Sequence, residues 1–186
     1  MRTVYFDIDD KTEDLKHLLR DRKELVTQFN ERFEVSWIFH ENAMEGLVLD
    51  VFDLKAALDH ATLDDGILIP TYQRIRNHKN AIDKIREAAE ESARAPTLAF
   101  LKNLHVLLSH GLSGQPGGVY RKEIPIHRTY FHDIAAPSRI PHLMSRLVTD
   151  LKGKEFKQFH PFRQAAEVHY RLMNIFPFDE DTGKVA

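Results

Sequence analysis

The sequence contains no cysteine. That excludes a disulfide frame and any thiolate metal site, and it suits a reducing cytoplasm. No apolar run reaches the roughly 20 residues that a membrane-spanning helix needs. The opening stretch, MRTVYFDIDD, lacks the hydrophobic region of a signal peptide. Charge of one sign is lacking too. The formal net charge is -2 and the pI about 6.6, so nothing draws the chain to nucleic acid or an anionic membrane. Repeats and low-complexity tracts are absent. The eleven histidines are scattered rather than set at metal-ligand spacing. What is left is an ordinary globular composition, 42% hydrophobic over 186 residues. That is the size of one domain, with room for a proper core and a small helical annex.

What is present reads mostly as helix. Residues 1–10 are mixed and are expected extended or frayed. Leu15, Leu18, Leu19, Leu25, Val26 and Phe29 fall at three- and four-residue steps and predict helix over 12–33. Val35, Trp37, Ile38 and Ala43 carry a helical pattern to Met44, and Glu45-Gly46 breaks it. Asp50 suits the N-cap of a helix reaching His60. After a loop over 61–70, Tyr72, Ile75, Ala81, Ile82, Ile85 and Ala88 give an amphipathic helix over 71–94. Another helix follows over 98–112, ended by the glycine-rich Ser113 to Gly118. Tyr120 to Ile134 does not read as helix, and its partial alternation predicts a short hairpin. Helix returns over 137–151 and 161–175, with Pro161 suited to a first turn. The class is all-α, with seven or eight helices and one small hairpin.

The last helix is the most strongly patterned. Phe162, Ala165, Ala166, His169, Leu172, Met173 and Phe176 make one apolar stripe, which predicts a helix central to a bundle. His169 reads as a core histidine bonded to backbone, or else as a ligand or catalytic group. The loop after it, Phe176-Pro177-Phe178-Asp179-Glu180-Asp181-Thr182-Gly183-Lys184, carries three consecutive acids and a glycine. Carboxylates in a tight loop suit a hard divalent cation, though they equally suit a solvated turn.

These residues bear a resemblance. The stretch IFPFDEDTGK resembles the Fic signature HPFx(D/E)GN(G/K)R, with Pro177, Phe178, Glu180 and Gly183 on motif positions. HPFRQAAEVHYRLMNIF is similar to the family's helix leading into that motif. Gly118-Val119-Tyr120-Arg121 resembles the start of its target-docking flap, and Leu101, Leu104, His105 and Leu108 resemble a conserved-pattern helix of the family. Asn42-Ala43-Met44-Glu45-Gly46 resembles its inhibitory segment. The resemblance implies a helical bundle with a small β-hairpin flap, and usually transfer of AMP from ATP to a protein hydroxyl. It implies a helical extension over residues 1–34 and a Fic-like domain over 35–186, apparently cut short just after the motif.

The same resemblance assigns roles. Glu180 would hold Mg²⁺. Phe178, Thr182, Gly183 and Lys184 would line the nucleotide phosphates. Glu45 would be regulatory, and Tyr120, Arg121, Ile124 and Ile126 would dock the target by strand addition. The departures fall at the chemistry. Phe176 stands where the family has a histidine that accepts the hydroxyl proton, a loss of about two to four orders of magnitude. Asp181 replaces a glycine, Thr182 an asparagine, and Lys184 an arginine, without its planar fork. Glu41 stands where the inhibitory segment has a hydroxyl residue. His127 and His132 fall in the flap, and His160 lies about four helical turns from the loop.

Two expectations therefore compete. One is a Fic domain impaired in AMP transfer, with a residual binding or regulatory role toward a protein partner. The other is an active Fic enzyme moving AMP or another phosphate-containing group by altered chemistry. An unrelated metal-dependent phosphohydrolase, prompted by His132-Asp133, lacks matched partners at convincing spacing. Homodimerisation is left open, and the compartment expected is the cytoplasm.

Overall fold

The computed structural model describes residues 5–59, 69–91, 95–112, 116–125 and 133–186. The chain divides into two compact units, Met1–Leu49 and Asp50–Ala186.

The first unit holds α1 (Phe6–Leu19) and α2 (Lys23–Met44). Helix thus starts well before residue 12, within a stretch expected to be frayed. Asp7 and Asp9 in its first turn complement the positive end of the helix dipole. The break between the helices is made by Arg20-Asp21-Arg22, which hold neither glycine nor proline, so the apolar pattern runs through it unmarked. α2 continues unbroken across residues 34 and 35. It ends at Glu45, whose N–H reaches the Asn42 carbonyl at 3.1 Å, and Gly46 follows in the left-handed region at φ 87°.

The second unit is built from α3 (Val51–Leu58), α4 (Ile69–Glu91), α5 (Leu98–Ser109), α6 (Ile140–Leu151), α7 (Lys154–Lys157), α8 (Pro161–Ile175) and α9 (Thr182–Val185). Their starts follow local chemistry. Asp50 caps α3 by accepting from the Asp53 N–H at 2.8 Å, and Thr97 caps α5 by accepting from the Phe100 N–H at 3.1 Å. Pro161 takes the first turn of α8. α9 opens at Thr182, so a helical turn follows the motif loop directly.

One core joins α4, α5, α6, α8 and α9. Leu101, Leu104 and Leu108 of α5 meet Met144, Leu147 and Leu151 of α6, together with Leu172, Ile175 and Phe178. Each such side chain contributes about 1.5–3 kcal/mol of burial.

Two expectations are corrected. Among the described residues there is no strand, so residues 116–125 and 133–136 form no hairpin. Their backbone groups bond elsewhere: the Arg121 N–H reaches the Pro177 carbonyl at 3.0 Å, and the Ala135 N–H reaches the Asn174 carbonyl at 3.1 Å. The two arms are tied to α8 and its loop instead of to each other. Ile126, His127 and His132 lie outside the described residues. The second correction concerns α8. Only Leu172 and Ile175 of it are buried, while Phe162 is 60% and Tyr170 66% exposed. His169 is exposed and is no core histidine. Periodicity records a stripe, not its depth, and only the C-terminal end of this stripe meets the core.

Candidate functional site

The site is the turn that leaves α8. Phe176 ends the helix in the left-handed conformation, φ 47° and ψ 66°, with its N–H on the Leu172 carbonyl at 2.7 Å. A non-glycine residue there costs roughly 1–2 kcal/mol. It is held by Arg121, whose guanidinium spreads under the end of the helix. Nε donates to the Phe176 carbonyl at 2.5 Å, Nη2 to the Ile175 carbonyl at 3.3 Å and to the Ala135 carbonyl, and Nη1 to the Glu123 carbonyl at 2.8 Å. A cation at a helix C-terminus satisfies orphan carbonyls and the dipole together. Arg121 is only 2% exposed. It is therefore a clamp on the motif turn and is not placed on a docking surface.

Phe178 is fully buried and stacks on the His105 ring, centroids 4.0 Å apart and planes 7° apart. His105 accepts from the Gly118 N–H at Nδ1, at 2.8 Å, which leaves Nε2 to donate to the Glu180 carbonyl at 3.2 Å. Both ring nitrogens are thus spent on backbone, and burial pulls the imidazole below its ordinary pKa. Gly118 has φ 76°, and a Cβ there would come within 3.1 Å of Val106 on α5. Tyr120 is half-buried, packs beside Phe178 at 5.8 Å, and carries Lys102 over its ring at 4.3 Å. Ile124 is 47% exposed.

The loop itself is closed by its own side chains. Thr182 Oγ1 accepts from the Phe178 N–H and donates to the Phe178 carbonyl, both at 3.0 Å. Asp181 adopts φ 54°, a region that aspartate tolerates better than most residues. Its carboxylate pairs with Lys184 Nζ at 2.8 Å, and the two side chains are 3% and 1% exposed. Arg74 of α4 lies farther off, 4.0 Å from Asp181 and 3.7 Å from Glu180. The Glu180 carboxylate is 72% exposed. Around Gly183 there is open space, with nothing within 4 Å of where a Cβ would stand.

Thus Phe176, Phe178, Glu180, Thr182, Gly183 and Lys184 come together with Tyr120 and Arg121. Of the residues assigned to phosphates, Lys184 spends its charge on Asp181, and Phe178 and Thr182 are buried in the loop's own packing. Glu45 closes α2 in the first unit. Sequence reasoning missed Arg74, Asn77 and His78 on α4. Their signal was a polar residue inside an apolar stripe, since His78 stands three after Ile75 and four before Ile82. Asn77 Nδ2 donates to the Leu108 and His110 carbonyls at 2.8 and 2.7 Å and so finishes α5.

Residues 95–186 match the model of the Fic/DOC family. The chain belongs to that family. The chain is 23% identical over 154 residues to the protein adenylyltransferase Fic of Aedes aegypti, and 25% identical over 154 residues to that of Culex quinquefasciatus. Both alignments take in 82% of this chain and 30% of the relative, so the chain spans under a third of these relatives' length. In fold it is similar to a Fic-domain-containing signaling protein from Bacteroides thetaiotaomicron, with TM-score 0.82 and 22% identity over 96% of this chain and 68% of that one. It is also similar to Fic-1 from C. elegans, with TM-score 0.75 and 17% identity over 96% of this chain and 55% of that one.

The buried histidine beside the Fic loop makes a pH prediction. Burial, with Lys184 nearby, pulls His78 down to about 4 from 6.5, and Asp181 opposes the shift. The unfolded chain therefore binds the proton more readily. His78's contribution to stability is full above pH 6.5 and is lost as pH falls toward 4, by about 3 kcal/mol at most. Burial moves His105 in the same direction. Urea unfolding across that range should show His78→Gln with a shallower pH dependence than the wild type; parallel curves would overturn this.

Proposed function

We propose that this chain is a Fic domain impaired in AMP transfer, keeping a binding or regulatory role toward a protein partner. The observation that carries this is Phe176, a side chain 4% exposed with no group to accept a proton, at the motif's first position. Losing a general base removes about two to four orders of magnitude by itself. The loop adds to that. Its lysine is neutralised from within by Asp181, which leaves it no charge to offer a phosphate.

Mg²⁺ and ATP fit only in part. The exposed Glu180 carboxylate suits a hard cation, but no three His, Asp or Glu side chains among the described residues group as a metal cage. Among the described residues the loop's basic neighbours are already paired, Lys184 with Asp181 and Arg74 with Glu180 and Asp181. Glu180 is also the one observation favouring the alternative, an active Fic enzyme that moves AMP or another phosphate-containing group by altered chemistry.

The partner role draws support from a cleft of about 300 Å³ beside Ile175, lined by Arg139, Arg146, Arg171, Leu143 and Asn174. Arg171 and Arg146 are both paired with Asp150, at 2.7 and 3.9 Å, and Asp133 also lines the cleft, which leaves Arg139 to face an acidic side chain of a protein partner. No helix of the described residues is long and apolar enough to cross a membrane. A reducing cytoplasm is the compartment we assign, on the lack of cysteine.

Incubation with Mg²⁺ and ATP labelled on its α-phosphate should label neither the chain nor lysate proteins. Robust labelling would sink the proposal. Phe176→His should fold, because histidine tolerates the left-handed region better than phenylalanine. It should restore little labelling while Lys184 stays bound to Asp181. A gain of about two orders of magnitude from that single change would mean the rest of the site is intact.

A further inference from the structure

The cleft beside Ile175 has a charge pattern of its own. Arg139, at the N-cap of α6, is followed by Leu143, Arg146 and Asp150 at i+4, i+7 and i+11, which is one face of a helix. α8 brings Arg171, Asn174 and Ile175 to the same cleft, and the arm 133–135 completes its lining. These walls are fixed before anything binds. The Ala135 N–H is on the Asn174 carbonyl at 3.1 Å, and Arg121 Nη2 donates to both the Ala135 and the Ile175 carbonyls. A preformed cleft loses little to ordering when it is filled.

Its polar groups are unequally satisfied. Asp150 Oδ2 holds Arg171 Nη2 at 2.7 Å and lies 3.9 Å from Arg146 Nε. Arg139 has no ion partner among the described residues, although Asp133 also lines the cleft. Three guanidiniums thus face two carboxylates, an excess of one positive charge. Glu167, a turn back along α8, is outside the lining. The Asn174 side-chain amide lines the cleft with no hydrogen-bond partner among the described residues. Between these groups lie the half-buried Ile134 and Leu143 and the buried Ile175.

That imbalance names the occupant. One spare guanidinium matches one carboxylate, which it can hold by two parallel bonds. A phosphate, with nearly two negative charges, would exceed the spare charge beside Asp133 and Asp150. The apolar groups around Arg139 suit apolar side chains next to the acid, and the Asn174 amide suits a peptide backbone. Arg139 to Arg146 spans about 10 Å of helix, the length of about three extended residues. We infer that the cleft takes an extended segment of a protein partner in which an acidic residue, set on Arg139, is flanked by apolar ones. This rests on the partner-binding role proposed above and gives that partner its chemistry.

Fluorescence anisotropy of the full chain with labelled, capped pentapeptides tests this. The probes are Gly-X-Glu-X-Gly, with X as Leu, Ile, Val or Phe. At least one should bind with a Kd of about 10–100 μM, the weak range of a small interface. Its Gln counterpart should bind roughly tenfold more weakly. Arg139→Gln, a change at an exposed position that should leave circular dichroism unaltered, should weaken the Glu peptide by a similar factor. Arg139→Glu should reverse the preference, taking Gly-X-Lys-X-Gly over the Glu form. No binding by any of the four Glu peptides up to about 1 mM, or binding indifferent to Arg139→Gln, would overturn the inference. A phosphoserine peptide bound roughly tenfold better than the Glu form would overturn the assignment of a carboxylate. A protein crosslinked from lysate regardless of Arg139→Gln would overturn the cleft as its site and leave the partner role standing. Labelling from ATP would end the proposed impairment whether or not a peptide binds.

Discussion

Asp181→Ala should destabilise the second unit by about 3–5 kcal/mol, far more than an exposed aspartate contributes. The reason is the position of the pair. Asp181 and Lys184 are 3% and 1% exposed and 2.8 Å apart, so the ammonium has its counter-charge inside the protein and not in water. Removing the carboxylate leaves that ammonium buried, with Arg74 already 4.0 Å from the vacated place. Alanine also loses the left-handed tolerance that aspartate brings at φ 54°. Lys184→Ala should cost less, because Arg74 remains to face Asp181. Asp181→Asn with Lys184→Met removes both charges and keeps the volume, so it should recover most of the loss. Denaturant unfolding at constant m-value reads all four proteins. A cost below about 1 kcal/mol for Asp181→Ala would mean the pair is solvated and the loop is not closed by its own charges.

Arg121→Ala should cost about 3 kcal/mol or more and lower the melting temperature by roughly 6–12 °C. Four carbonyls lean on this guanidinium, from Ile175, Phe176, Glu123 and Ala135. Two of them are at the end of α8, where the dipole adds to the attraction. Arg121→Lys should not rescue it, because one ammonium cannot reproduce a planar fork spread over separate acceptors. Rescue by lysine, or a loss under about 1 kcal/mol, would show that Arg121 acts by charge alone or not at all.

Much of the fold was legible in the sequence because its signals are local. Asp50, Thr97 and Pro161 start their helices through bonds or constraints within three residues, and Gly46 ends one by its freedom at positive φ. The motif residues Pro177, Phe178, Glu180 and Gly183 identified the family because their order survives whatever surrounds them. The described arms of the expected hairpin, 120–125 and 133–134, hold no strand, because alternation says nothing about which acceptor each N–H finds. Here Arg121 and Ala135 find Pro177 and Asn174. The central place expected for α8 failed for a similar reason, since a stripe such as Phe162, Ala165 and His169 does not say what covers it.

The candidate site divides along the same line. The sequence by itself determined that Phe176 carries no group able to accept a proton, whatever the fold. It also determined that Asp181 and Lys184 stand three apart. Only the tertiary structure decided that those two are buried together, that Phe178 is stacked on His105, and that Arg121 grips the helix end rather than a target. The physical reason is distance along the chain. A charge pair's worth depends on how much water it has lost, and an arginine's role on which carbonyls 14 to 55 residues away converge on it.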